Sequence, residues 1–274
     1  MKIRIKFRKY GNLKFIGHLD LQRFFQKAVR RAGIEVAYTT GFSPHQIMSF
    51  ASPLGIGLES NGEYMDIEVT AFKGSKDTVS SLNTASVEGI EVLSAKVLPK
   101  DAGNAMASVA AAAYTIRFRE GRFPIFDWKE KLPLFTAKTS IPIMKKTKKS
   151  IFEFDLKPGI FSMDLSGDSI SMLLDASSNG NIKPGLVMEA FFAEHDAVLM
   201  ENALLITRED TYTNIGTTEN KNLVSLNDIG IDWEPNSNRE TEGNIDMGGN
   251  TELDSNAEME NNTVTESNTE SVGI

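Results

Sequence analysis

Strict alternation of apolar and charged side chains opens the chain. In residues 1–8 every odd position is apolar and every even position is a cation; the cations are Lys2, Arg4, Lys6 and Arg8. A repeat of two residues is typical of a β-strand with one buried face. We therefore predict a strand that presents four exposed cations on its other face.

The next stretch has the period of an α-helix. Its apolar residues recur at spacings of three and four: Leu21, Phe24, Phe25, Ala28, Val29 and Ala32. Such spacing places them on one stripe of a helix, and Gly33 follows as a C-terminal cap. The remaining surface carries Arg23, Lys27, Arg30 and Arg31. We predict an amphipathic helix over residues 18–32 with a cationic outer face.

Further along, the periodicity predicts short strands and helices in alternation. The first part is predicted as strand 1–8, helix 18–32, strand 34–39, strand 63–69, helix 75–85 and strand 90–98. The second part is predicted as strand 114–119, a helix around 127–131, four short strands between 140 and 175, helix 184–193 and strand 203–207. We interpret both parts as the βαββαβ plan. The prediction is an α+β protein of two tandem ferredoxin-like units, 1–98 and 114–212, joined by the Ala-rich, helix-prone segment 99–113.

The apolar periodicity stops after residue 212. Asn, Thr, Glu, Ser and Gly dominate the end of the chain, and such a segment cannot offset its chain entropy by burial. We predict a disordered acidic tail over residues 213–274. Residues 223–233 (LVSLNDIGIDW) are the exception, because their apolar side chains could dock on another surface.

The net charge of −8 conceals a segregation of charge. The predicted tail has 13 acidic and 2 basic residues, whereas residues 1–212 have 27 basic and 24 acidic ones. Residues 1–31 contain ten cations and one acid. A basic head can bind a polyanion such as RNA; the alternative is a solvated amphipathic surface.

Composition narrows the class of protein. The chain has no Cys, which excludes disulfides, thiolate metal sites and Cys-bound iron–sulfur clusters. It has no apolar run long enough to span a bilayer, and its charged N-terminus is unlike a signal peptide. We expect a cytoplasmic protein without a membrane partner.

A loop rich in Gly, Pro and Ser follows the predicted helix. Its candidate site residues are Gly41, Phe42, Ser43, Pro44, His45, Ser49, Pro53, Gly55 and Gly57. Gly and Pro set unusual backbone angles, so the loop has a specified shape. It could present backbone N–H groups to an anion, or it could be the scaffold of a protein interface.

His18 and His45 are the candidate catalytic residues. An imidazole transfers protons near neutral pH, so either residue could serve as the base in a metal-independent RNA cleavage. A metal site pairing His18 with a nearby carboxylate is another option, but no tight spacing such as HExxH is present. The structural alternative is that His18 caps the helix and His45 holds the loop. We predict no resident metal or cofactor.

The segments GHLDLQRFFQKAVRRAGI, YTTGFSPH, SFASPLGIGLES and EYMDIEV resemble the signature of a bacterial family known as radical-SAM-linked proteins. The resemblance is strong over residues 1–69 and weakens toward residue 210. It implies a radical SAM enzyme as partner. It does not imply radical SAM activity in this chain, because the chain lacks the Cys residues that hold the iron–sulfur cluster of such an enzyme. A more distant, architectural likeness is to the tandem ferredoxin-like RNA endonucleases of CRISPR systems.

Three functions follow from these observations. The leading hypothesis is an accessory module of a radical SAM enzyme that binds or presents RNA through its basic helix and its Gly/Pro/His loop. The second is a metal-independent ribonuclease that uses His18 or His45. The third is a protein-binding scaffold, with the loop and residues 223–233 as contacts.

Overall fold

The computed structural model describes residues 1–146 and 151–235, which form a mixed α+β fold around one large sheet. The strands are β1 (Lys2–Lys9), β2 (Met48–Phe50), β3 (Glu59–Glu68), β4 (Ile90–Val97), β5 (Ala111–Phe118), β6 (Pro142–Lys146), β7 (Ile151–Asp155), β8 (Ile160–Ser166), β9 (Ser169–Asp175), β10 (Leu204–Asn214) and β11 (Leu223–Ser225). The helices are α1 (His18–Arg31), α2 (Ser75–Thr84), α3 (Ala105–Ser108), α4 (Trp128–Thr136) and α5 (Pro184–Ala193). Short 3₁₀ helices cover Gly11–Phe15, Lys157–Gly159 and Leu226–Ile229.

The main sheet has the strand order β4-β1-β3-β10-β5-β9-β8, with β2 on β3 and β11 on β10. Its neighbouring strands are antiparallel except for β3 and β10, which run parallel where Glu59 faces Thr207 and Ser60 faces Arg208. Strand β2 pairs with the other end of β3. Strands β6 and β7 form a separate hairpin. The short β3–β10 contact therefore joins the two halves of the sheet.

Each half of the sheet has its own hydrophobic core. In the first, the apolar side of β1 meets α1, and Phe7 packs on Phe25 with ring centroids 4.6 Å apart. In the second, strands β5, β8 and β9 pack on α4 and α5 around Phe135 and Phe191. The periodicities of the sequence explain both cores, since each element buries its apolar face. The domain boundaries at residues 98 and 114 stay a prediction.

A third, smaller cluster docks the end of the described chain. Leu226 is fully buried against Tyr64, Ala105 and Val109. The Tyr64 hydroxyl donates a hydrogen bond to Asp210 and lies 3.1 Å from the Ser225 hydroxyl. Burial and the negative charge of Asp210 raise the pKa of Tyr64, so this phenol stays neutral.

The ordered fold therefore extends beyond residue 212. Strand β10 continues to Asn214, Ile231 pairs with Val97, and Trp233 packs on Phe72. The tail predicted for residues 213–274 thus begins too early, because residues 223–233 bury apolar side chains as that segment's pattern suggested. The part of the predicted tail beyond residue 235 lies outside the described residues.

Two predicted elements differ from the structure. Residues 34–39 make isolated bridges at Val36 and Tyr38 instead of a strand. The Ala-rich segment is helical only through Ser108, and Ala111 already begins β5. Strands β9 and β10 flank this stretch and supply backbone partners, which outweighs the helix propensity of Ala. Within the described residues, no helix combines the length and apolar character needed to cross a membrane.

Candidate functional site

Helix α1 presents the basic surface that its sequence predicts. Leu21, Phe25, Ala28 and Val29 face the core, which leaves the cationic positions on the outside. The exposed cations of this face are Arg23, Lys27, Arg30 and Arg31. The face is thus a row of solvent-accessible positive charges along one helix.

Two of these cations also make local contacts. Arg23 pairs with Asp20 at 3.3 Å, and both side chains are largely exposed. Arg31 donates to the carbonyl of Ala85 at 2.7 Å, next to the end of α2. Exposed pairs of this kind contribute little to stability, so the charge of Arg23 stays accessible to a ligand.

The four cations of β1 do not form the exposed row that alternation predicted. Arg4 is only 2 % exposed and is paired with Asp66. Lys6 pairs with Asp210 at 3.2 Å, and Arg8 pairs with Glu91 at 3.1 Å. The prediction of four exposed cations is wrong, because the carbonyls of Gly103 and Leu226 cover Arg4 and other strands of the sheet supply acidic partners to Lys6 and Arg8. Lys2 is half-buried.

The first part of the loop projects into solvent. Gly41, Phe42, Ser43, Pro44 and His45 are all exposed, and Phe42 is fully so. Of the three aromatic residues near the basic head, Phe7 is in the core and the Tyr10 ring lies under Arg8. Phe42 is thus the one of these three rings with both faces accessible.

The base of this loop is attached to the basic face of α1. The Gln26 carbonyl accepts hydrogen bonds from the Gln46 side chain and from Arg30 Nε, each at 3.4 Å. One backbone oxygen thus brings the loop and a cation of the helix together. Gln46, four residues after Phe42, thus fixes the base of the loop beside the cationic face.

His45 holds the loop in shape. Its Nδ1 lies 3.1 Å from the Thr39 hydroxyl and 3.3 Å from the Ser43 carbonyl, and its backbone N–H donates to the Thr39 hydroxyl. These contacts fit the structural role that the sequence left open. In the described part of the chain, the hydrogen-bond partners of the ring are the Thr39 hydroxyl and the Ser43 carbonyl, and neither is a carboxylate that would orient it as a base.

The second part of the loop folds back onto the body. Ser49 lies in β2 opposite Asp66, and the Gly57 N–H donates to the carbonyl of Lys14 at 2.8 Å. Gly57 has a φ of +86°, which a residue with a side chain rarely adopts. Pro53 and Gly55 are exposed on this turn. The predicted loop residues therefore split into two separate surfaces.

His18 does not cap α1. It is the first helical residue, and its ring packs edge-on against Phe50 with centroids 5.3 Å apart. The cap position is Gly17, which has no side chain to accept a hydrogen bond. His18 is half-buried and lines a small cavity with Lys9 and Glu63.

Beside this cavity, three charged side chains are buried together. Lys9, Glu63 and Arg208 are 1 %, 4 % and 5 % exposed. Arg208 donates to Glu63 at 3.0 Å and to the carbonyl of Ser52 at 3.1 Å. Lys9 donates to the carbonyl of Lys14 at 3.4 Å, and within the described part of the chain it belongs to no ion pair. We refer to Lys9, Glu63 and Arg208 as the buried charge cluster.

Burial and charge shift the pKa values in this cluster in opposite directions. Burial lowers the pKa of Lys9; Glu63 opposes this shift and Arg208 adds to it. Burial also disfavours the charge of Arg208, but Glu63 and Tyr114 outweigh it, so the pKa of Arg208 is raised. Arg208 consequently keeps its positive charge, and Lys9 is the cation of the cluster that loses its proton more easily.

The phase of the strand patterns contains a signal for this cluster. Lys9 follows Ile3, Ile5 and Phe7 in the odd, apolar phase of β1. Glu63 similarly shares the phase of Met65 in β3. A charged residue at an apolar position of a strand is expected to be buried and paired. Their proximity to Arg208 depends on the β3–β10 contact, which the pattern does not reveal.

No group of three or more His, Asp or Glu side chains is placed to hold a metal ion within residues 1–146 and 151–235. The arrangement instead offers cations: an exposed row on α1, and Lys9 and Arg208 in the buried charge cluster. Its chemistry suits the binding of anions.

These features define a mixed α+β protein with a basic helix and a structured loop. Residues 2–184 match a family described as an uncharacterized protein conserved in bacteria (DUF2344), and the chain belongs to that family. The match includes β1, α1 and the loop, whereas Arg208 lies beyond it. No curated protein matches the chain.

Proposed function

We propose that the protein is an accessory module that binds or presents RNA and works with a radical SAM enzyme. The RNA-binding surface consists of the cationic face of α1 together with the exposed loop around Phe42. The observation that carries the proposal is the shared contact at the Gln26 carbonyl, which brings Arg30 and the base of the loop together.

The chemistry of single-stranded RNA matches this surface. Fixed cations displace counterions from the phosphate backbone, which favours binding at low salt. An exposed aromatic ring can stack on a base whatever its identity. Arg23 and Arg30 supply exposed cations, and Phe42 supplies an exposed ring on the loop whose base contacts the same helix. Stacking and charge together favour a flexible single strand over a duplex.

The partner part of the proposal is supported by the motif resemblance of residues 1–69. A radical SAM enzyme holds its iron–sulfur cluster with Cys thiolates, and this chain contains none. The chain would therefore work beside the enzyme, as an accessory module. A pull-down with the full chain should capture a protein with three closely spaced Cys residues. Capture of no such protein would refute the proposal of a radical SAM partner.

We also propose that the two halves of the sheet are ferredoxin-like units. The first half has the order β4-β1-β3-β2 and the second β10-β5-β9-β8. In both, helices follow the first and the third strand. This is the order that a βαββαβ unit produces, and it extends the architectural likeness to CRISPR RNA endonucleases.

The RNA part is tested by titrating the full chain into a labelled single-stranded RNA oligonucleotide and measuring fluorescence anisotropy. We expect binding that weakens with salt and is reduced in the Arg23→Ala/Arg30→Ala double variant. Loss of two phosphate contacts should lower the slope of log affinity against log salt by about 1.4. The matched control is Arg117→Ala, an exposed cation on β5, which should leave the affinity unchanged. Equal binding by all three proteins would refute the proposed surface.

The same samples distinguish the two competing hypotheses. Gel analysis of the RNA after incubation with a chelator should show intact RNA; cleavage lost in His18→Ala or His45→Ala would instead identify a metal-independent ribonuclease. Absence of RNA binding together with capture of a protein partner would identify a scaffold.

A further inference from the structure

A small cavity opens at the start of α1, on the side of the buried charge cluster. Its lining includes Lys9, His18, Leu21, Phe50, Pro53 and Glu63. The space inside is about 10 Å³, which is enough for one water molecule or one oxygen atom of a larger group. His18 and Pro53 are accessible to solvent at its rim. A ligand can therefore insert only a small end group.

Lys9 and Glu63 of the buried charge cluster line this cavity, and the charges of the cluster do not balance. Lys9 and Arg208 are buried cations, and Glu63 is the buried anion of the cluster. Glu63 is committed to Arg208 at 3.0 Å. Within residues 1–146 and 151–235, the hydrogen bond of the Lys9 ammonium is the 3.4 Å contact to the carbonyl of Lys14. A buried cation is costly unless an opposite charge accompanies it, so an anion in the cavity would compensate Lys9.

Besides the Lys9 ammonium, the buried charge cluster contains a hydrogen-bond donor on Arg208 that lacks a partner within the described part of the chain. Its Nη1 bonds to Glu63 and Ser52, but its buried Nε–H has no hydrogen-bond partner among the residues that the structure describes. Buried donors without partners are uncommon in folded proteins. The cluster thus has more positive charge and more donors than its own residues satisfy.

The start of α1 also faces the cavity. The first N–H groups of a helix have no partner within the helix, and they carry the positive end of its dipole. Gly17 supplies no capping side chain. Asp20, in the first turn, is largely exposed and pairs with Arg23. The 14-residue α1 therefore keeps the helix end at which anions bind.

We propose that this cavity is a receptor for a terminal phosphate group. One phosphate oxygen enters beside the Lys9 ammonium, and the remaining oxygens contact the His18 imidazole and the first N–H groups of α1. A phosphomonoester suits the space because three of its oxygens are unesterified, whereas an internal phosphodiester carries a chain on both sides. The site is separate from the proposed RNA surface, since neither Arg23 nor Arg30 lines the cavity.

The phosphate could belong to an RNA end or to a small phosphorylated molecule. Calorimetric titrations of the full chain with inorganic phosphate, ribose 5-phosphate and acetate test the chemical class. We expect the two phosphates to bind, acetate to bind more weakly, and Lys9→Met to lose about tenfold or more in phosphate affinity. Arg30→Ala, near the far end of α1, should bind phosphate like the wild type, which separates this site from the RNA surface.

Anisotropy with one RNA oligonucleotide, prepared with a 5′-phosphate or a 5′-hydroxyl, identifies the source. Tighter binding of the phosphorylated form, lost in Lys9→Met, assigns the site to an RNA end. Equal binding of both forms, with ribose 5-phosphate still bound, assigns it to a small molecule.

A measurement on the unmodified protein covers the case in which Lys9→Met fails to fold. The chain has three His residues, so their ring protons can be followed by NMR during addition of inorganic phosphate at constant pH. We expect the His18 signal to shift and the His45 signal to stay. No binding of either phosphate, unchanged affinity in Lys9→Met, or equal shifts of His18 and His45 would overturn the proposal.

Discussion

Arg4 and Asp66 form a two-pronged ion pair in the interior of the protein. Arg4 Nε lies 2.8 Å from one carboxylate oxygen and Nη2 lies 2.9 Å from the other, with the side chains 2 % and 3 % exposed. The carboxylate also accepts the Ala105 N–H at 2.8 Å. The pair thus ties the segment that leads into β5 to strands β1 and β3.

Breaking this pair should destabilise the protein strongly. Asp66→Ala leaves the Arg4 guanidinium buried without its anion, and removal of one partner of a buried pair typically costs about 3–5 kcal/mol. Urea unfolding measures the change. Arg23→Ala is the control, because it breaks an exposed pair with Asp20 and should change stability by less than about 1 kcal/mol. Similar losses in both variants would contradict the role of burial.

The docked C-terminal segment should contribute to folding stability. Leu226 is fully buried, whereas Ile231 in the same segment is 56 % exposed. Leu226→Ala should lower the free energy of unfolding by about 2–5 kcal/mol, because it leaves a cavity against Tyr64. Ile231→Ala should have a much smaller effect in the same urea titration. If Leu226→Ala proved as mild as Ile231→Ala, the segment would not be docked in solution.

The stability contributed at Lys9 should depend on pH in a specific direction. Burial lowers the pKa of Lys9 below 10.5, so between the folded and unfolded pKa values the unfolded chain binds more protons. Stability therefore rises with pH through that window. Lys9→Met removes the buried charge and should be more stable than the wild type near neutral pH, with an advantage that shrinks toward pH 10.5.

Urea unfolding of both proteins across this range measures the difference. Lys27→Met, a substitution at an exposed cation of α1, should show no comparable pH dependence. A Lys9→Met advantage that stays constant with pH would mean that Lys9 does not titrate in the folded protein as its burial requires.

Phe42 should contribute to RNA affinity without contributing to stability. Its side chain is fully exposed, so Phe42→Ala removes no packing. If the ring stacks on a base, the substitution should weaken RNA binding about 5- to 150-fold with an unchanged urea midpoint. Ile125→Ala, at another highly exposed apolar residue, is the control and should leave RNA affinity unaltered. Wild-type affinity in Phe42→Ala would exclude stacking at this position.

Local patterns predicted most elements of the fold, and the exceptions have a common cause. The period of two in residues 1–8 and the helical period in 18–32 correspond to β1 and α1. Ala111 is in a strand despite the helix propensity of its neighbours, because β9 and β10 lie on both sides of it. The exposure of side chains was less predictable from the sequence. Alternation placed Arg4 on the polar face of β1, but only the tertiary structure shows that this face is covered at Arg4.

The sequence by itself determined where most of the strands and helices form, which side of α1 is basic, and that no Cys-held cluster exists in this chain. These properties depend on residues close together along the chain. The tertiary structure alone decided that Arg4 is buried, that residues 223–233 dock, and that Lys9, Glu63 and Arg208 come together. The physical reason is that burial and charge pairing depend on contacts between distant segments, here the β3–β10 junction and the returning C-terminal segment.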